Sequence, residues 1–329
     1  AIHTWSFDQP LFYAILKPNG NIVASFLTAD QSKHPSNGGT GTVSEYSWGG
    51  KLIWSYDHPM MHHDFDFLPN GNIVILIWDK LPPNARQKLN AKQHIPNNIK
   101  EIWGDSILEI TPSGKTVWIW RNFEYLLQER IHYDGIPITD KGDWSHANGL
   151  SFIKKKLIND DESLLISFRN LNLVIMVNRK SKQVTWSSKK LTSVQHDPTV
   201  TRSGNILIFN NRSHMSKSQV LMINPKNNEL VWKYPVGEPK ITDFQFSAGI
   251  VSGVQELDNG NILISNGVLG YISEVTKEGT RVWDLFSIPS QDSSTPWPYK
   301  GFFKVRQYSQ KYFKAKIQSK IVKISKLCI

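Results

Sequence analysis

The chain has 329 residues, 40% hydrophobic and 11% aromatic, enough to bury a large core. No apolar run approaches the ~18 residues of a membrane-spanning helix, and a single cysteine, Cys328, excludes an internal disulfide and a thiolate metal cluster. The net charge of +10 sits at one end, because residues 300–329 carry nine Lys and Arg and no acid; without a recognised motif beside it, this charge does not imply a nucleic-acid partner.

The first residues, A-I-H-T-W-S-F, read as a strand rather than a leader. From residue 12 a two-part unit begins and recurs to residue 287. Its first part is a hairpin around Pro18-Asn19-Gly20-Asn21, repeated at Pro69-Asn70-Gly71-Asn72, Ser203-Gly204-Asn205 and Asp258-Asn259-Gly260-Asn261. Asn-Gly between alternating apolar runs is a strong hairpin signal, because the turn needs positive φ. Its second part is a hairpin that ends in tryptophan, at Trp54, Trp118, Trp186, Trp232 and Trp283. Five units of four strands are the signature of a β-propeller, whose blades bury their faces only against their neighbours. A further strand-like segment, G-F-F-K-V-R-Q-Y-S (301–309), belongs to no complete unit. Pairing it with the first residues would close the ring and remove a bare sheet edge. The expectation is therefore an all-β, six-bladed propeller of four-stranded antiparallel blades, with the last blade closed by N- and C-terminal strands. The propeller would span residues 1–310, followed by a basic tail over 311–329. In that tail Phe313, Ile317, Ile321 and Ile324 recur at helical spacing, so it would suit the surface of an anionic membrane or form a solvated extension.

Three histidines share one phase of the repeat. They lie in M-H-H-D-F-D-F (61–67), S-H-A-N-G-L (145–150) and Q-H-D-P-T-V (195–200), with His63 and His196 each eight residues before a turn glycine. The first strand of a blade lines the central channel, and the second returns to the edge where the first began. That geometry puts Arg169 and Asn170 beside His146 and Asn148, Asn210 and Asn211 beside His196, and Trp78 beside His62 and His63. Arginine offers a planar fork of donors suited to a tetrahedral oxyanion. Histidine serves as nucleophile or as acid and base, and a nearby guanidinium favours its neutral form. Trp78, Trp144 and Phe168 would hold a flat organic group. This set suits transfer of an oxyanion group better than a metal site, which Arg169 would repel, although three histidines can hold zinc. Any one of the three is equally readable as a buried donor tying blades together. Asp64 and Asp197, each following a histidine, read as acceptors for loop amides. The histidines at 3, 34, 58, 94, 132 and 214 share no phase and read as surface or structural.

The ordered set H-H-D, H-A-N, S-F-R-N and Q-H-D-P-T-V-T-R-S-G-N resembles the bacterial arylsulfate sulfotransferase family. The resemblance runs over roughly residues 10–287. It implies a six-bladed propeller that moves a sulfuryl group from a phenolic sulfate ester to another phenol, with no nucleotide donor, cofactor or metal. By that resemblance His196 is the nucleophile that forms a sulfohistidine in a ping-pong reaction. Arg169, His146 and Asn148 bind the equatorial oxygens, and His63 or His146 exchanges the proton with the phenol. The early histidine of the family corresponds to His62 or His63. It further implies a periplasmic or otherwise exported protein, against the cytoplasmic location that fits a chain opening directly on a strand. An aryl sulfate hydrolase on the same residues, or a propeller that binds a ligand or partner without chemistry, are the alternatives.

Overall fold

The computed structural model describes residues 3–90, 95–126, 136–139, 141–212, 217–236, 246–286, 301–315 and 317–318. Among these, twenty strands form five antiparallel sheets, each built from four consecutive strands. Blade one holds β1 (Leu11–Leu16), β2 (Ile22–Phe26), β3 (Thr42–Tyr46) and β4 (Leu52–Asp57). Blade two holds β5 (Met61–Phe67), β6 (Ile73–Lys80), β7 (Trp103–Ile110) and β8 (Thr116–Arg121). Blade three holds β9 (Ala147–Ile153), β10 (Ser163–Phe168), β11 (Leu173–Asn178) and β12 (Val184–Ser187). Blade four holds β13 (His196–Val200), β14 (Ile206–Asn210), β15 (Gln219–Asn224) and β16 (Glu229–Tyr234). Blade five holds β17 (Gly253–Glu256), β18 (Ile262–Asn266), β19 (Tyr271–Val275) and β20 (Arg281–Phe286).

The turns form as the sequence implies. Gly71 and Gly204 take φ of 86° and 81°, and each donates its N–H back three residues, to Leu68 and Thr201 at 3.0 Å. An L side chain is strained there, which is why glycine recurs at this point of the unit. The repeated tryptophans staple the blades from outside. Trp118, Trp186 and Trp232 donate their indole N–H to Arg179 O, Asn228 Oδ1 and Lys277 O, each in the third-to-fourth-strand turn of the next blade. Apolar side chains of the second and third strands fill the spaces between blades, as where Leu76 and Ile107 meet Leu150 and Leu164. The inner strands β5, β9, β13 and β17 touch one after another around the axis.

Among the described residues the blade count is five, not the expected six. Nor do the two ends build a blade together: every sheet is complete from consecutive strands, and no described residue before Leu11 or after Phe286 is a strand. The strand-like residues 301–309, together with the described residues 310–315, 317 and 318 that follow, instead form an irregular strap between blades five and one. On the blade-five side Phe302 N–H donates to Gly267 O, and Phe303 O accepts from Ser252 N–H. On the blade-one side Tyr308 Oη accepts from Leu16 N–H, Tyr312 Oη donates to Leu16 O, and Lys314 N–H donates to Pro18 O. Phe303 packs on Phe12 and Tyr13 with ring centroids 4.6 and 6.0 Å apart. The strap closes the ring by isolated backbone bonds, side-chain bonds and ring packing, without a continuous ladder. Phe313 and Ile317 are buried with it, while Ile321 and Ile324 lie outside the described residues.

Candidate active site

His63, His146 and His196 all stand at the entry edge of inner strands, at one mouth of the channel. Local backbone conformation aims them there. The pairing of β5 with β6 breaks between His62 and Phe65, and that of β13 with β14 breaks between His196 and Thr199. His63, His146 and Asp197 have φ of 50°, 50° and 48°. Such bulges turn a side chain out of the ladder, and left-handed non-glycine residues gather at functional sites.

His63 and His146 meet edge to face with ring centroids 4.7 Å apart. His62 lies behind them, fully buried and stacked on Trp78 at 4.2 Å. Its Nε2 is 3.1 Å from Asp105 Oδ1, an ion-pair distance whose angle falls short of a hydrogen bond. Its Nδ1 is 3.0 Å from His63 Nδ1. With the His62 Nε2 proton turned to the carboxylate, His63 Nδ1–H donates to His62 and leaves its own Nε2 a lone pair. Burial, then the charges of His146, His62, His196 and Arg169, hold His63 well below the usual histidine range.

His146 Nδ1–H donates to Asp143 Oδ2 at 2.5 Å, which fixes its tautomer with Nε2 free. Arg169 follows β10 as expected, and its N–H donates to His146 O at 2.9 Å. Its guanidinium reaches Asn170 Oδ1 at 3.0 Å. Asn170 in turn donates to Asp143 O at 3.1 Å.

His196 has the most defined protonation of the three. Nδ1 faces two acceptors, Asn211 Oδ1 at 2.7 Å and Val194 O at 3.2 Å, so it must carry the proton. Asn211 is itself fixed, because its Nδ2 donates to Ala248 O and Val251 O. The lone pair is therefore on Nε2, where it accepts the Val251 N–H at 3.1 Å. Burial and the Arg169 charge push His196 down to about 3. It is a neutral base, and its lone pair is covered by the backbone turn at 250–252.

The remaining expected residues support this set from behind. Asn148 is fully buried and donates to Gln195 O at 3.0 Å, joining β9 to the chain entering β13. Asn210 Oδ1 accepts from Ser193 N–H at 2.7 Å. Phe168 packs in the core near Trp120, away from the mouth. Of the histidines without phase, His34 is buried against Trp78, His3 stacks on Trp48, and His94, His132 and His214 lie outside the described residues. Asp64 and Asp197 do accept amides, from Leu150 and Val254 of the next blade at 2.8 Å each.

Four residues escaped the sequence reading: Asp105, Asp143, Lys304 and Arg306. Only Asp143 had a local signal, since D-W-S-H puts it three residues before His146. Among the described residues no group of three His, Cys, Asp or Glu is arranged to hold a metal ion. A cavity of about 500 Å³ opens at the opposite mouth, lined by Tyr13, Phe65, Phe152, Arg306 and Tyr308. His63, His146, His196 and Arg169 do not line it.

Comparison with known proteins bears on the same residues. The family model described as Arylsulfotransferase (ASST) matches residues 16–190, a little over half of the chain. That span carries His62, His63, His146 and Arg169, and His196 follows just beyond it. Similar solved structures include a protein of unknown function from Bacteroides caccae, at 15% identity and TM-score 0.49, covering 85% of this chain and 82% of that one. Another is virginiamycin B lyase from Staphylococcus aureus, at 11% identity and TM-score 0.48, covering 89% and 74%. No curated protein matches the chain at a significant level. With one family model matching more than half of its residues, from the end of β1 through blade three, the chain belongs to the arylsulfotransferase (ASST) family.

Proposed function

We propose that the protein transfers a sulfuryl group from a phenolic sulfate ester to a phenolic acceptor through a covalent sulfohistidine on His196. Family membership supports arylsulfotransferase activity in general. The finer reading rests on one observation: the His196 ring donates Nδ1–H to two acceptors and accepts the Val251 N–H on Nε2, as only a neutral imidazole with its lone pair on Nε2 can.

In the first half-reaction Nε2 attacks sulfur, an N–S bond forms, and the S–O bond to the ring breaks with its electron pair leaving on the phenoxide. Arg169 neutralises charge developing on the equatorial oxygens. When His146, with its Nδ1–H held by Asp143, carries a second proton on Nε2, it gives that proton to the phenoxide. In the second half-reaction neutral His146 takes the proton of the acceptor phenol as its oxygen attacks sulfur, and His196 leaves. His63, kept neutral, contributes a lone pair at the mouth without adding charge. Attack requires the Val251 N–H to leave Nε2, so the 250–252 turn moves when the donor enters.

A second reading, ligand binding without covalent chemistry, has one observation in its favour. Both ring nitrogens of His196 are satisfied, and the residue is 4% exposed. Incubation with 4-nitrophenyl sulfate separates the readings. Nitrophenol release that depends on added phenol, with a sulfated peptide containing His196 trapped when phenol is omitted, is the expected result. Release in water alone means hydrolysis. No release with any phenol, and no sulfated peptide, leaves the binding reading.

A further inference from the structure

The strap carries two cations into the channel. Lys304 Nζ donates to Asp64 Oδ2 at 2.6 Å and to Asp197 Oδ1 at 3.1 Å, joining blade two to blade four across the axis. Arg306 forks onto Asp197, Nη1 to Oδ2 at 2.8 Å and Nη2 to Oδ1 at 2.5 Å. The Lys304 side chain is 2% exposed and the two aspartates 0% and 1%. Burial alone would push Asp197 up, yet Arg306 and Lys304 hold it well below the usual carboxylate range.

Each aspartate directly follows a site histidine and belongs to the bulge that aims it. Inside a bulge the ladder supplies no partner, so other bonds must hold the left-handed backbone. Here they include the His63 N–H bond to Gly38 O at 2.9 Å, the amides of Leu150 and Val254, and the two strap cations. Without the cations, two buried carboxylates would face one channel uncompensated. The strap also holds the turn that covers His196. Phe303 O takes the Ser252 N–H at 2.9 Å, next to the Val251 amide that covers Nε2.

We propose that Lys304 and Arg306 are positioning residues of the active site: by clamping Asp64 and Asp197 they set the bulges that aim His63 and His196 into the mouth. The activity part of the test rests on the sulfuryl-transfer reading, while the spectroscopic part does not. The variants are Lys304→Met and Arg306→Gln in the full chain, with Lys304→Arg and Arg306→Lys as conservative partners. The readouts are kcat and KM for 4-nitrophenyl sulfate with phenol, and the ring NMR signals of His63 and His196.

Lys304→Met is expected to lower kcat about ten- to a hundredfold with a smaller change in KM, the scale for residues that orient reacting groups. Lys304→Arg recovers most of the loss. The His63 and His196 ring signals move, while those of His3 and His58 stay. Unmoved His63 and His196 signals overturn the proposal, as does a kcat within about twofold of an active wild type. If the wild type transfers no sulfuryl group, that reading fails and the ring signals alone decide the positioning role. Should Lys304→Met not fold, Arg306→Gln carries the same readouts, because it leaves the Lys304 bridge in place.

Discussion

Asp143 and Asn211 do related work on two different rings: each accepts the Nδ1 proton of a histidine and so decides where the lone pair lies. An asparagine oxygen can do this only while its amide is held in one orientation, and Ala248 O and Val251 O provide that. Asp143 needs no such restraint, since either oxygen of a carboxylate is able to accept. Asp143→Asn places an amide of either orientation opposite His146, so the ring loses its fixed tautomer. Transfer from 4-nitrophenyl sulfate to phenol should fall about a hundredfold in kcat, with the melting temperature little changed. An unaltered kcat would assign the proton step to another group. The three histidines, Arg169, Asn211 and Trp78 were legible in the sequence because a hairpin returns the end of its second strand to the start of its first. Asp105 was not, because it enters on the third strand of blade two after a long connection from β6, where no periodicity fixes position. His63 and His62 were separable only by which ring the bulge turns outward.

At the scale of the element, blade follows blade through a few repeated bonds. Within blades the Asn-Gly-Asn turns reach a glutamate of the third strand: Asn70 and Asn72 donate to Glu109, and Asn259 and Asn261 to Glu274. Between blades the tryptophan staples act. Trp186 is 8% exposed, and its indole N–H meets Asn228 Oδ1 at 2.6 Å. Trp186→Phe keeps an aromatic ring but strands the acceptor, so urea unfolding should show a loss of about 1–2 kcal/mol. A stability unchanged from wild type would mean that the staple contributes packing alone. The tryptophan hairpins made the five blades readable, because each is a local pattern of strand, turn and strand. The strap misled for a physical reason. In G-F-F-K-V-R-Q-Y-S the alternation that suggests a half-exposed strand is inverted, with Lys304 and Arg306 inside the channel. Charged side chains can be buried there only because Asp64 and Asp197, more than a hundred residues away in sequence, neutralise them.

Across the whole molecule, the channel concentrates ionisable groups whose stability contributions depend on pH in opposing senses. His196 is pushed down to about 3, and His63 lies well below its usual range, both first by burial. A histidine near 6.5 in the unfolded chain binds a proton there that the folded site refuses. These two therefore leave the fold intact above pH 6.5 and destabilise it as pH falls below that value. For His196 alone the cost at pH 5 is about 2 kcal/mol. Asp66 acts in the opposite sense. Burial raises it to about 6, so the folded state binds its proton first and regains about 1 kcal/mol by pH 5. Glu45, Glu109 and Glu274 are also buried in part, but their side-chain hydrogen bonds outweigh burial and hold them low. Their contribution is lost only below about pH 4.5, where the unfolded glutamates protonate. The two histidines outweigh Asp66 between pH 7 and 5, so the melting temperature should fall over that range. In His196→Gln one of those two contributions is gone, and the slope of melting temperature against pH should be shallower than in the wild type. An equal slope would mean that His196 takes up its proton within the folded site, which would also remove the neutral lone pair on which the proposed transfer depends.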